Sequence, residues 1–240
     1  MASANLDAAA RFSQLPLGIR LRDGATFANY YPGGNRDVVQ LLRASLSAAG
    51  EFIYLWGGHG TGKTHLLQAV CHLDVAQAQP LAYLPLREVA ALSPEVLEGI
   101  EALPLVIVDD IDAVAGRADW ETGLFHLYNR VREHNGRLLM AGSHSPAAVG
   151  IVLADLRSRL AGGIVLHLHA LNDQEKAEAL RLQARQRGME MPEEVAAYLL
   201  RRSPRDMTAL FGLLNVLDRA SLAAQRKLTI PFVKEVLPHI

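Results

Sequence analysis

Eight consecutive residues have the composition of a phosphate-binding loop. The run Gly57-Gly58-His59-Gly60-Thr61-Gly62-Lys63-Thr64 directly follows the apolar segment Phe52–Trp56, and residues from His65 onward have helical apolar spacing. Glycines let backbone N–H groups converge on a phosphate, and the first turn of a following helix adds partial positive charge. We expect Lys63 to reach the phosphates and Thr64 to ligate Mg²⁺. The alternative is a chance glycine-rich turn, but the flanking strand and helix favour an ADP or ATP site that includes residues 57–64 and His65.

A second run supplies the carboxylates that such a site requires. Leu105–Val108 has the pattern of a strand buried on both faces, and it ends in Asp109 and Asp110. We predict that Asp109 holds Mg²⁺ opposite the Thr64 hydroxyl, and that Asp110 is the catalytic group that orients or deprotonates an attacking water. The alternative is that the pair caps the following segment. Its position downstream of a phosphate-binding loop favours the catalytic interpretation.

The elements that must position these residues alternate between strands and helices. The sequence predicts strands at Phe52–Trp56, Leu81–Leu84, Leu105–Val108, Arg137–Ala141 and Ile164–Leu168, with helices at His65–Ala76, Pro94–Ala102 and Trp120–His134. Such alternation indicates an α/β fold in which helices flank a parallel sheet.

After Leu171 the pattern is helical only. Asn172 or Asp173 is the expected first cap and Gly188 the expected stop, followed by helices at Pro192–Arg202, at Asp206–Gln225 and from about Thr229. We therefore predict a flexible N-terminal tail (1–24), an α/β nucleotide-binding domain (25–170) and a small all-helical lid (171–240). This combination is the AAA+ architecture, a P-loop ATPase fold.

Two arginines stand where this architecture uses them. Arg159 lies just before the last predicted strand, where it could project into the phosphate site of a neighbouring subunit. Arg205 begins a lid helix and could fold back onto the nucleotide of its own site. The alternative for both is a solvated arginine at a helix end, the common fate of this residue type.

Composition narrows the class of protein. The 240 residues carry a formal net charge of −1, which argues against DNA binding by bulk electrostatics. The lone cysteine, Cys71, excludes an intramolecular disulfide and is expected to be a packed apolar residue. The N-terminus lacks the features of a signal peptide, and no run looks long and apolar enough to span a bilayer. We expect a cytoplasmic protein without membrane contact.

Several segments together resemble the DnaA family of bacterial replication initiators, and more closely its Hda branch of regulatory inactivators. The resemblance runs over nearly the whole chain, and the segments that carry it are residues 26–35, 108–116, 158–160, 205–207 and, most specifically, 217–234. The resemblance implies that Phe27, Asn29 and Tyr30 bind the nucleotide base, that Arg159 is an arginine finger acting in trans, and that Arg205 contacts the nucleotide. It also places Ser143 at a position where the family usually has a carboxylate, which makes nucleotide binding better supported than hydrolysis.

The tail contains a further match. Gln14, Leu15, Leu17 and Ile19 are similar to the short peptide by which Hda proteins dock on the β sliding clamp of DNA polymerase III, although Gly18 departs from the family pattern. Such a peptide inserts apolar side chains into a groove from a flexible segment. We expect no counterpart of the DNA-binding domain that follows the lid in DnaA. Any contact with DNA is therefore expected to be indirect, through the clamp.

The resemblance favours a regulatory adaptor, bound to nucleotide and to the clamp, that stimulates ATP hydrolysis by DnaA and so prevents re-initiation. The chain would act mainly as activator of its partner's ATPase, and its own ATPase activity stays open. One alternative is a self-acting AAA+ ATPase similar to a helicase loader or a DnaA-like initiator. Another is a nucleic-acid binder, against which the near-neutral charge counts. A finger and a P-loop on one chain also allow head-to-tail homo-oligomers.

Overall fold

Five parallel strands form the central sheet of the computed structural model, which describes residue 21 and residues 24–44, 50–76, 79–204 and 206–239. The sheet order is β2-β3-β4-β1-β5, so β1 lies between β4 and the edge strand β5. The strands are β1 (Phe52–Trp56), β2 (Leu81–Pro85), β3 (Leu105–Asp109), β4 (Arg137–Gly142) and β5 (Ile164–His167). Each predicted strand is confirmed, with ends that differ by one residue at most, and so is the parallel α/β fold class.

Successive residues of β1 alternate between two hydrophobic cores because helices cover both faces of the sheet. Phe52 and Tyr54 belong to one core, together with side chains of α4 (Ala118–Glu133) and α5 (Ala154–Ala161). Ile53 and Leu55 belong to the other core, which is covered by α1 (Arg36–Ala44) and α2 (Lys63–Ala76). The buried Cys71 packs in this second core as expected, and burial raises the pKa of its thiol to about 12.

One predicted helix is wrong. The segment Pro94–Ala102 forms two short 3₁₀ helices, Pro94–Leu97 and Ile100–Ala102, after the four-residue helix α3 (Leu86–Val89). Gly99 separates the two with φ of 83°, a left-handed conformation that an α-helix cannot contain. The apolar repeat of this segment is too short to reveal that the helix is interrupted at Gly99.

The C-terminal part consists of helices around a third core. They are α6 (Asp173–Gln186), α7 (Glu193–Arg202), α8 (Met207–Ala224) and α9 (Ile230–Val236). Asn172 and Glu175 form a reciprocal capping box at the start of α6, which confirms the predicted cap. We call these four helices the lid; the exact domain boundaries stay a prediction.

One helix of the lid is long and apolar enough to cross a membrane by length and composition alone, although the sequence suggested no such run. This helix, α8, buries Leu210, Leu214 and Leu217 in the lid core, but only 22% of it is buried and Val216 and Leu222 are exposed, so packing explains only part of its apolar character. The predicted clamp peptide, with Gln14, Leu15, Leu17 and Ile19, and the predicted nucleotide contact Arg205 lie outside the described residues. Both stay predictions.

Candidate nucleotide-binding site

The glycine-rich run lies between the end of β1 and the start of α2, which confirms the strand–loop–helix context. At two positions of this run the backbone conformation and the nearby atoms require glycine. Gly62 has φ of 96°, and a Cβ there would lie 2.6 Å from Cε2 of Tyr30. Gly60 has φ of 74° and packs against Asp206 of the lid. Only glycine adopts these conformations without strain in so little space, so the loop packs closely against Tyr30 and against Asp206 of the lid.

Lys63 is the first residue of α2, and its ammonium lies under the loop. Nζ donates to the carbonyl oxygens of Gly57 at 2.7 Å and Gly58 at 3.1 Å, and the residue is only 9% exposed. Burial lowers the pKa of Lys63, whereas the negative charges of Asp109, Asp112 and Asp110 act to raise it. A buried cation at a helix N-terminus, held by loop carbonyls, suits a polyphosphate.

Asp109 ends β3 and is 1% exposed. Its carboxylate accepts hydrogen bonds from the backbone N–H of Asp110 (2.9 Å), the hydroxyl of Tyr83 (3.1 Å) and the side chain of Thr64. Burial raises its pKa in spite of these hydrogen bonds. The structure therefore brings together the predicted metal pair, Thr64 and Asp109, and two of the groups that hold Asp109 are hydroxyls able to rotate.

Asp110 follows with a left-handed backbone, φ 56° and ψ 49°. It occupies the N-cap position of a 3₁₀ helix at Ile111–Val114, but its side chain makes no capping hydrogen bond. Its carboxylate instead accepts from Nε of Arg87 at 3.1 Å, and Arg87 is largely exposed. The capping interpretation of the pair thus fits poorly, while the role of Asp110 as a base stays a prediction.

Asp112 is a site residue that the sequence did not single out. Its carboxylate accepts from the backbone N–H of Ser143 at 2.7 Å and from the Ser143 hydroxyl at 2.8 Å. Its charge acts on Lys63 and also contributes to raising the pKa of Tyr54, for which burial is the main cause. Ser143, which stands where the resemblance predicts a carboxylate, is therefore hydrogen-bonded to the carboxylate of Asp112.

The segment predicted to bind the base lies against the loop. The Tyr30 hydroxyl donates to the Thr61 carbonyl (3.1 Å), and its ring lies 5.6 Å from the His65 ring, centroid to centroid. Nε2 of His65 lies 2.8 Å from the Thr26 carbonyl oxygen. Phe27 is buried, and Nδ2 of Asn29 donates to the Gly24 carbonyl. These side chains thus form one wall beside residues 57–65.

The lid closes on the same region through contacts that the sequence gave no sign of. Nε2 of Gln183 donates to the Asn29 carbonyl at 2.7 Å, and Nε2 of Gln186 donates to the Ala28 carbonyl at 2.9 Å. At the loop tip, Nδ1 of His59 lies 3.1 Å from Oδ1 of Asp206, the N-cap of α8. Helices of the lid therefore touch both the loop and the predicted base segment.

Arg159 lies far from this region, on the exposed surface of α5. Its guanidinium carbon is 5.6 Å from the ring centroid of Tyr128, which packs edge-on against Phe52 with centroids 5.0 Å apart. Phe52 begins β1, whereas the loop follows Trp56 at its other end. Four strand residues span about 13 Å, so Arg159 lies near the end of β1 opposite to the loop.

The charges and shapes of the site fit a magnesium nucleotide. A buried ammonium, a helix N-terminus and a hydroxyl–carboxylate pair are the groups that bind phosphates and Mg²⁺ in P-loop proteins. Among the described ranges there is no cluster of three or more His, Cys, Asp or Glu side chains able to hold a metal alone. Thr64 and Asp109 would supply only part of the ligands of Mg²⁺, and phosphate oxygens and water would supply the rest.

Several solved structures share the fold of this chain. Domain III of the Thermotoga maritima replication initiation protein DnaA superposes with a TM-score of 0.78 at 20% identity, over 92% of this chain and 98% of that one. AMPPCP-bound DnaA from Aquifex aeolicus gives 0.70 at 20% identity, over 91% and 81%. The Thermotoga maritima RuvB Holliday junction branch migration motor gives 0.63 at 18% identity, over 85% and 68%. Identities this low show a shared fold.

Two family models divide the chain between them. The model of the bacterial DnaA ATPase domain matches residues 21–167, and the model of the Hda lid domain matches residues 173–237. The first covers the sheet and the loop, and the second covers the lid. The chain therefore belongs to the DnaA-related AAA+ family, with a DnaA-type ATPase domain and an Hda-type lid.

Proposed function

We propose that this protein is a nucleotide-bound regulatory adaptor of replication initiation, which stimulates ATP hydrolysis by DnaA through Arg159. The two domain matches support a DnaA-related replication regulator. The observation that carries the finer proposal is the position of Arg159, exposed on α5 and near the end of β1 opposite to its own loop. An arginine so placed has no access to its own phosphates but is free to reach those of another subunit.

The chain's own site would hold ADP or ATP with Mg²⁺. Lys63 and the residues of the loop would bind the phosphates, Thr64 and Asp109 would hold the metal, and Tyr30 and His65 would flank the nucleotide. Bound Mg²⁺ would offset phosphate charge and connect the phosphate oxygens to this pair. Because Gln183 and Gln186 bond to carbonyls of the predicted base segment, occupancy of the site would be sensed by the lid.

The decisive experiment measures hydrolysis by ATP-bound DnaA with clamp, DNA and this chain present. We expect Arg159→Ala to lower the stimulated rate by roughly two or more orders of magnitude, since a finger acts on transition-state charge. Arg132→Ala is the matched control, because it removes an equal charge from an exposed position one turn after Tyr128 on α4. Nucleotide affinity of the chain itself should not change in either variant. Undiminished stimulation by Arg159→Ala would contradict the adaptor mechanism.

Tethering to the clamp is a separate part of the proposal. It rests on the resemblance of Gln14, Leu15, Leu17 and Ile19 to a clamp-docking peptide. We expect the double variant Gln14→Ala with Leu17→Ala to lose co-elution with the β clamp while nucleotide affinity and melting temperature stay unchanged. Retained co-elution would show that docking uses another surface.

A second candidate is a self-acting ATPase, and one observation favours it. The carboxylate of Asp112, held by Ser143, is close enough to Lys63 for its charge to act on the ammonium, so the site has three carboxylates around its phosphate-binding cation. Steady turnover by the purified chain alone, abolished by Asp110→Asn and unaffected by Arg159→Ala at low protein concentration, would support this candidate. Turnover only in the presence of DnaA would support the adaptor.

A further inference from the structure

A buried carboxylate outside the nucleotide site joins two loops that lie far apart in sequence. Glu121, in the first turn of α4, is 1% exposed. It accepts hydrogen bonds from the backbone N–H groups of Gly116 (2.7 Å), Val152 (3.0 and 3.1 Å) and Leu153 (2.6 Å). All three recorded donors are backbone groups, so the bonds constrain the main chain itself. A carboxylate that accepts several N–H groups in a low-dielectric interior is a strong anchor.

The two loops have different connections. Gly116 follows the 3₁₀ helix that begins directly after Asp110, and it has φ of 81°. Leu153 is the N-cap of α5, and its own side chain makes no capping hydrogen bond. Glu121 thus accepts from the N–H of the N-cap residue of α5, as the glutamate of a capping box does, and it places a negative charge near the helix start.

α5 is the helix that bears Arg159, six residues after Leu153, or about 9 Å along the axis. A helix of eight residues is too short to be stable by itself, so its direction is set by its anchors. One of them is the packing of Leu156 and Leu160 in the core. Two more lie at its N-terminal end, namely the hydrogen bonds of Val152 and Leu153 to Glu121 and the 3.4 Å hydrogen bond that Nη1 of Arg157 donates to the Ile151 carbonyl.

We propose that Glu121 is a positioning residue for Arg159, which holds α5 in a fixed relation to the loop that follows the Asp109–Asp110 pair. The inference rests on the proposed function, because it assigns Arg159 the role of a finger in trans. Its structural half, the control of α5 by Glu121, is testable without any partner.

The first measurement is amide hydrogen exchange over residues 150–157. In Glu121→Gln the side chain keeps its shape, but it loses its charge and turns an N–H₂ group toward backbone donors. We expect exchange in this segment to become roughly tenfold faster or more. Asp119→Asn is the matched control, because Asp119 lies in the same first turn but is exposed and pairs with Arg117. Equal protection in Glu121→Gln and the parent protein would overturn the proposal.

A second variant removes a donor instead of the acceptor. Leu153 has φ of −65°, the value that proline imposes, so Leu153→Pro deletes the 2.6 Å bond without a change of backbone conformation at that residue. Leu153→Ala controls for the lost side chain. This pair keeps the test valid if Glu121→Gln does not fold. We expect faster exchange in the α5 segment with Leu153→Pro than with Leu153→Ala, and equal exchange in the two would overturn the proposal.

The functional measurement titrates DnaA hydrolysis with each variant. A loosened α5 presents Arg159 less well, so we expect the maximal stimulated rate to fall roughly three- to tenfold, with the half-maximal concentration within twofold of the parent value. A smaller folded fraction would shift the half-maximal concentration and leave the maximum unchanged, which would reduce Glu121 to a purely structural role.

The two proposals fail in different ways. If Arg159→Ala leaves stimulation intact, the adaptor mechanism fails, and amide exchange still decides whether Glu121 controls α5. If Arg159→Ala abolishes stimulation but the Glu121→Gln maximum equals that of the parent, the coupling between Glu121 and Arg159 is refuted alone.

Discussion

Two buried carboxylates, one at the carboxyl edge of the sheet and one at the junction of α4 and α5, are held in different ways. Asp109 accepts from one backbone N–H and from the hydroxyls of Tyr83 and Thr64. Glu121 accepts only backbone N–H groups in the recorded contacts. Hydroxyls rotate at little cost, whereas backbone N–H groups do not. A carboxylate held by hydroxyls can therefore bind a cation when the hydroxyls rotate away, whereas a carboxylate held by backbone N–H groups stabilises the fold.

The largest expected effect tests whether the carboxyl edge of the sheet binds nucleotide. Lys63→Ala removes the buried cation that acts on Asp109 and Asp112, while Asp110 keeps its ion pair with Arg87. We expect ADP and ATP affinity to fall by at least about a hundredfold, which corresponds to about 3 kcal/mol. Titration calorimetry measures this, with Lys227→Ala as the control, because Lys227 is an exposed lysine outside the site. Undiminished affinity would mean that the loop does not bind phosphate.

The next effect concerns the junction. Glu121→Gln should lower the free energy of unfolding by about 2 kcal/mol, because buried N–H groups lose a charged acceptor and face another donor. Urea denaturation of parent and variant at pH 7 measures the difference, and Asp119→Asn should change it by less than about 0.5 kcal/mol. A variant as stable as the parent would show that this carboxylate is not committed to the fold.

The smallest expected effect is an increase in the free energy of unfolding, where Glu121→Gln gives a decrease. Burial raises the pKa of Asp109, so the native state binds this proton more readily than the unfolded chain does. Its contribution to stability is therefore largest below the unfolded pKa near 3.9 and is lost as pH rises through the folded value. Asp109→Asn removes this loss and should raise the free energy of unfolding at pH 7 in nucleotide-free protein, by less than Glu121→Gln lowers it, while it weakens Mg²⁺-dependent nucleotide binding. Destabilisation in the urea experiment would contradict the comparison.

The sequence predicted the frame of the molecule because the frame depends on local patterns. Apolar runs bounded by turn residues gave all five strands, and the capping pattern from Asn172 to Glu175 gave the start of α6. The phosphate-binding loop could be predicted from its residue types and from the strand and the helix on either side of it. The segment Pro94–Ala102 failed because a single left-handed glycine outweighs a short apolar repeat.

The contacts that complete the site depend on partners distant in sequence. Ser143 meets Asp112 across 31 residues, and Gln183 reaches Asn29 across 154. No local pattern reports such pairs. Glu121 alone left a signal, since it lies three residues before Leu124 and seven before Tyr128, on the buried face of α4. A charge among apolar neighbours on a helix face is a reason to look for a buried anchor.

The left-handed backbone of Asp110 has a consequence for how this protein can change. A residue with φ near 56° is strained unless it is glycine, asparagine or aspartate. Asparagine and glycine are each one nucleotide substitution away from aspartate, and either would be accepted there with little or no loss of folding stability. Both would remove the carboxylate that is predicted to orient or deprotonate an attacking water. If Asp110 has that role, a single nucleotide substitution is enough to turn the gene into one for a folded protein that binds nucleotide without hydrolysing it.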